Sequence, residues 1–147
     1  MLKKSFHILV FFFITSSSIL ASPLKKGFEA LAIYNYFGAK EIFSKSIKKH
    51  ESPASFGLSQ IYLNDKNPFH NLDSARIYAL RSKDSWSLVK SKIKLELAPF
   101  RFDSLQIIQL LDTIAFTAFE KTKAENTMEG YAYFLDKYSY SKYIENA

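Results

Sequence analysis

The chain has 147 residues, a formal net charge of +6 and no cysteine. The missing cysteines exclude a disulfide framework and a lipid-modified cysteine, so apolar burial alone must hold the fold together. Four Gly and four Pro are too few for a turn-rich β-sandwich, and the positive charge is too diffuse for a dedicated nucleic-acid binder.

The chain opens on MLKKSFHILVFFFITSSSILAS. Lys3 and Lys4 give a positive start, Phe6 to Ile14 is almost unbroken apolar surface, and Ser16 to Ser18 lead into Ala21 and Ser22. That order predicts a secretory signal peptide over 1–21, cut after Ala21. An uncleaved anchor is the alternative. A spanning helix needs about 20 apolar residues, and this run breaks sooner, at Thr15 and the serines. Removing Lys3 and Lys4 takes the formal charge from +6 to +4, since 1–21 holds no acid. The chain is therefore expected to be exported, to a periplasmic or cell-envelope location, with 22–147 forming one domain.

The spacing of apolar residues in 22–147 is helical nearly throughout. Leu24, Phe28, Leu31 and Ala32 share one face, and Gly38 reads as the break that follows. Ala39, Ile42, Phe43, Ser46 and Ile47 share the next face. Ser52-Pro53 reads as a helix start, with serine as cap and proline in the first turn; Gly57, Leu58, Ile61 and Tyr62 continue it. Asn64 to Leu72, rich in Asn, Asp and Pro, reads as a loop. Asp73 is positioned to cap a fourth helix carrying Ala75, Tyr78, Ala79 and Ser82.

From Ser82 to Asp103 the pattern is less regular. Ile93, Leu95 and Leu97 alternate with Lys94 and Glu96, a β-like signal, but the strong flanking helices favour a short helix within Trp86 to Leu97. Ala98-Pro99 ends it, because a residue before proline avoids the helical region. Asp103 starts the strongest helix, with Gln106 at the reciprocal capping-box position. Leu105, Ile108, Leu111, Ala115, Ala118, Phe119 and Thr122 form its stripe, widened by Ile107, Leu110 and Ile114. Asn126 with Glu129 repeats the cap pattern before a helix bearing Met128, Tyr131, Phe134, Leu135 and Tyr138. Ser141 to Ala147 begins another, so either the natural frame runs on past Ala147 or this last helix is a short cap.

Three triplets recur at i, i+4, i+7: Ala39-Phe43-Ser46, Ala75-Ala79-Ser82 and Thr127-Tyr131-Phe134. Small residues sit upstream of each, where paired helices must approach closely: Gly27 and Ala30, Ser59, then Ala115 and Ala118. These positions resemble the tetratricopeptide repeat, a helix–turn–helix unit of about 34 residues, of the exported bacterial kind. Gly27, Ala30, Tyr36, Ala39, Phe43 and Ser46 match one unit. Leu58, Ser59, Tyr62, Ala75, Ala79 and Ser82 match a second. Ile114, Ala115, Ala118, Thr127, Tyr131 and Phe134 match a third. The pattern's closing proline is displaced to Pro53 in the first unit and replaced by Ser87 and Ser139 in the others. The resemblance implies an all-α fold of antiparallel helix pairs stacked as a short solenoid; a non-repeating helical bundle is the alternative. Stacking suits the composition, because no single pair buries its apolar face alone.

Chemistry is scarce. His50 and His70 stand apart in sequence, so neither a metal site nor a cofactor is expected. Ser55-Phe56-Gly57 lacks a nucleophile elbow, and no Gly-rich phosphate loop exists. No catalytic residue is assigned and an enzyme is not expected. Lys45, Lys48 and Lys49 share a helical face that reads either as solvated or as fit for an anionic surface such as lipid headgroups. The resemblance implies a groove lined by the first helix of each pair. By position that means Phe56, Gln60, Leu63 and Asn64 in the second unit, and Asp112, Phe116, Phe119 and Glu120 in the third. The same aromatic residues also read as plain core. The resulting expectation is a non-catalytic protein-interaction scaffold with a protein or peptide partner in the envelope, no nucleic acid, and membrane contact only through 1–21 before cleavage. The alternatives are a structural or assembly module of a larger envelope protein and, less favoured, an envelope enzyme.

Overall fold

The computed structural model describes residues 22–147; the predicted signal peptide lies outside them. Among the described residues every regular element is helical, and no helix is long and apolar enough to cross a membrane. In order they are α1 (Pro23–Ala32), α2 (Tyr36–Ser46), α3 (Glu51–Leu63), α4 (Leu72–Ser85), α5 (Ser91–Leu97), α6 (Ser104–Glu125) and α7 (Met128–Lys137). Single 3-10 turns cover Trp86–Leu88, Ala98–Phe100 and Lys142–Asn146. The last of these is a tight turn rather than the helix the sequence suggests.

Local chemistry sets the boundaries, in places one or two residues from the expected ones. Ser22 caps α1 by accepting from the Lys25 N–H, with Pro23 in the first turn, where its missing N–H costs nothing. The break after α1 falls at Ile33–Asn35, not at Gly38. Tyr34 turns the chain with a φ of 61°, and the Asn35 side chain accepts from the Gly38 N–H at 3.0 Å, so Gly38 lies inside the first turns of α2. Asn71, not Asp73, caps α4, through the Ser74 N–H at 2.7 Å. Asp73 falls in the first turn, where its charge still complements the helix dipole. Asp103 caps α6 through the Gln106 N–H at 2.8 Å. The Gln106 side chain turns away to donate to Gln109 at 2.8 Å, so the capping box closes on one side only. Asn126 ends α6 in the left-handed region, at φ 48°, and Thr127 caps α7.

Ser52 does not cap α3. It is buried and donates to the carbonyl of Ser82 at 2.8 Å, and Ser59 donates to the carbonyl of Ala75 at the same distance. Small residues on α3 and on α4 (Ala75, Ala79, Ser82) therefore form a close, hydrogen-bonded seam. Phe43 of α2 is wedged between two glycines. A Cβ on Gly27 would lie 2.8 Å from its ring, and one on Gly57 would overlap the ring outright. α5 resolves the β-like alternation as helix: Leu97 is buried, Ile93 one turn earlier is half-buried, and Leu95 points outward.

Along the chain α1 packs on α2, α2 on α3, α3 on α4, α4 on α6 and α6 on α7, with further contact of α1 with α3 and of α3 with α6. One cluster holds Leu24, Phe28, Phe43, Phe56, Leu97 and Phe102; a second holds Ala79, Leu111, Ile114, Phe119, Phe134 and Tyr138. Tyr62 and Leu110 pack against both. The buried face of α6 runs through Ile107, Leu111, Ile114, Ala118 and Thr122. Leu105 and Ile108, expected in the stripe, are more than half exposed, and Met128 and Leu135 of α7 are exposed too. The residues expected to widen the stripe, Ile107, Leu110 and Ile114, are turned toward the core.

Candidate functional site

An open groove of about 990 Å³ lies between α3 and α6, bordered by the α1–α2 corner. α3 supplies Phe56, Gln60, Leu63 and Asn64; α6 supplies Gln106, Gln109, Leu110 and Thr113; Leu31, Tyr34 and Tyr36 come from the corner. The i, i+4 spacing of Phe56, Gln60 and Asn64 puts them on one face of α3. Phe56 forms the floor, 2 % exposed and 5.5 Å from the Phe102 ring.

The walls mix apolar side chains, Leu31, Leu63 and Leu110, with polar uncharged ones. Asn64 donates to the Tyr36 hydroxyl at 2.7 Å and accepts from the Lys66 N–H at 2.8 Å. Thr113 donates to the Gln109 carbonyl at 2.8 Å. Among the described residues the Gln60 carboxamide bonds to no protein group, and Gln109 keeps its amide donors unused after accepting from Gln106. Charge enters only at the rim, as Asp65 and Lys66, both exposed.

Of the residues the resemblance implies, the groove brings together Phe56, Gln60, Leu63 and Asn64, and Phe119 is buried outside it. Asp112, Phe116 and Glu120 lie outside it. Asp112 receives the Lys142 ammonium at 2.9 Å. Phe116 packs on Tyr143, ring centroids 5.6 Å apart, and Tyr143 also stacks on Phe119 at 5.8 Å. Glu120 pairs with Lys123 at 2.9 Å. The α6 wall is built one to two turns earlier, by Gln106, Gln109 and Thr113. The sequence signal for these is the run of amide and hydroxyl groups at i, i+3, i+7 among the apolar residues of the first half of α6. Tyr34 and Tyr36 had no such signal, because the left-handed turn at Tyr34 decides where both rings go.

The histidines sit apart from the groove. His70 is exposed in the loop after α3, and His50 is half-buried at the start of α3. Burial, and then the neighbouring Lys49 charge, hold the His50 imidazole below its ordinary pKa. Among the described residues no three His, Asp or Glu side chains gather closely enough to hold a metal ion. No family model, curated protein or solved structure matches the chain.

Proposed function

We propose that this chain is an exported, non-catalytic protein-interaction scaffold built from tetratricopeptide-like helix pairs, and that the α3–α6 groove holds an extended peptide segment of a partner. The observation that carries the reading is the groove's lining: carboxamides and hydroxyls set among leucines over an aromatic floor, with charge confined to Asp65 and Lys66. Such a lining suits the peptide backbone, which offers alternating donors and acceptors and no charge. Residues four apart on a helix rise about 6 Å, close to the ~6.6 Å that two residues of an extended chain span. Gln60 and Asn64 on one wall, and Gln109 and Thr113 on the other, have that spacing. The neighbour order α1–α2–α3–α4–α6–α7, with first helices also touching, supports the stacked-pair reading, and the 1–21 segment supports export.

A second reading, a structural or assembly module of a larger envelope protein, draws on a different observation. The chain's own Lys142 and Tyr143 cover Asp112 and Phe116, so part of the α6 surface is already occupied by self.

Peptides selected from a random display library on the chain test the groove. Gln60→Ala with Gln109→Ala should weaken the selected peptides about tenfold, since each substitution removes one or two hydrogen bonds. Peptides that bind this double variant as tightly as the parent would remove the groove from the proposal.

A further inference from the structure

We propose that a second surface, made by the start of α3, the Trp86–Leu88 turn and α5, docks on a bilayer carrying anionic headgroups. It is separate from the groove and goes beyond the scaffold reading. It takes up the lipid-headgroup alternative for Lys48 and Lys49 and joins to it residues the sequence does not connect with them.

The surface centres on a recess of about 350 Å³. Lys48, Lys49 and His50 stand on one side of it, and Leu88 and Lys90 on the other. Lys92 and Lys94 follow on α5. Lys48, Lys49, Lys90, Lys92 and Lys94 have no carboxylate partner among the described residues; Lys26, Lys40, Lys66 and Lys83, scattered elsewhere, also lack one, whereas Lys25, Lys45, Lys121, Lys123, Lys137 and Lys142 are paired. Of the nearby acids, Glu51 pairs with Arg81 at 2.9 Å, while Glu96 accepts from the Ser22 hydroxyl and keeps its charge, so five lysines stand against one free carboxylate. Three unpaired lysines, Lys48, Lys49 and Lys90, therefore border one recess, with Lys92 and Lys94 next to it on α5. Such a patch draws anionic headgroups within a Debye length.

Charge alone would suit many acidic surfaces; the apolar residues select a bilayer. Leu88 is 80 % exposed and Leu95 77 %. Leu88 borders the recess and Leu95 lies on α5 between Lys94 and Glu96, while Trp86 lies under the Lys94 ammonium, 4.1 Å from its ring centroid. Leucines that insert beside lysines that stay at the headgroups form the pattern of a membrane-surface contact.

The described fold lies wholly within Ser22–Ala147, so the test uses that chain, whose helix content by circular dichroism confirms folding. Omitting 1–21 removes an apolar run that would enter any bilayer. Co-sedimentation is measured on vesicles of phosphatidylcholine, with and without 30 % phosphatidylglycerol, at low and high NaCl. Binding to the phosphatidylglycerol vesicles should exceed binding to phosphatidylcholine alone at least tenfold in 50 mM NaCl and collapse in 500 mM. Each lysine near an anionic surface is worth about fivefold, so Lys48→Gln with Lys49→Gln and Lys90→Gln should weaken binding about 100-fold. Leu88→Ser with Leu95→Ser should weaken it about tenfold. Lys121→Gln with Lys123→Gln, at the far end of the roughly 30 Å α6, should change it less than twofold. Three results would overturn the proposal: no preference for phosphatidylglycerol, equal losses for the α6 pair and the recess lysines, or a His50 response to inorganic phosphate without vesicle binding, which would mark a small-anion site.

Discussion

Three serines on one face of α3 meet different fates, and the difference sets the sign of their substitution. Ser52 and Ser59 donate to carbonyls of α4. Ser55, at the same depth, has a buried hydroxyl with no partner. A buried hydroxyl without a hydrogen bond costs about 1–3 kcal/mol, and a made one contributes about 1. Ser55→Ala should therefore stabilise the fold by about 1 kcal/mol, aided by alanine's higher helix propensity. Ser59→Ala should destabilise it by a similar amount. Thermal melts should separate the two variants by about 8 °C for a domain of this size; equal shifts of the same sign would contradict the assignment. The sequence shows that small residues belong here, since Ser59 and Ala75 fall at close-approach positions. It does not show which hydroxyls are used. Ser52 reads as a cap because capping serines and inward-donating serines are the same residue type, and only the position of α4 decides between them.

At the level of elements, Phe43 of α2 ties α1 to α3 by occupying the space two glycines leave. Both approaches are closer than any Cβ allows, and the ring is fully buried with no free direction to move. Gly57→Ala should force the ring or the helix to shift, at a cost of about 3 kcal/mol. Gly57→Ala with Phe43→Leu should recover part of that loss, because the shorter side chain vacates the overlap. Urea midpoints of the two variants check this, and a Gly57→Ala midpoint equal to the parent's would show the seam to be looser than described. Helix identity was legible because periodicity near 3.6 marks each buried face, from Leu24 and Phe28 through Leu111 and Ala118. Helix ends were less so: adjacent Asn, Asp and Thr residues are competing caps, and Asn71 and Thr127 win over Asp73 and Asn126 by tertiary position. The groove was half legible for the same reason. Phe56, Gln60 and Asn64 share a face by spacing alone. Which stretch of the long α6 stands opposite them depends on how far the helices slide past each other, and no periodicity encodes that.

Across the whole molecule the two core clusters differ in what would unfold them. The first carries the only tryptophan, Trp86, its ring 5.1 Å from that of Phe102. The second carries Tyr138, buried against Phe134 and beside Asp73 and Arg76 of α4. Burial, and then the Asp73 charge, push the Tyr138 phenol well above its ordinary pKa. Burial likewise raises Tyr140 to about 12. Both phenols are neutral in the fold, while an unfolded chain releases their protons near pH 10. Their contribution to stability is thus fully present below about pH 10 and is lost as pH climbs through the folded values. The urea midpoint should fall between pH 9 and pH 11.5, with the α4–α7 side loosening while Trp86 fluorescence still reports a packed first cluster. Lysine deprotonation also acts in this range, so the deciding comparison is Tyr138→Phe, which keeps the ring and removes the proton. Its midpoint should fall less than the parent's over the same interval. An equal fall would mean that the second cluster opens for reasons unrelated to Tyr138. A simultaneous loss of the Trp86 signal would mean that Tyr62 and Leu110 bind the two clusters into one cooperative unit.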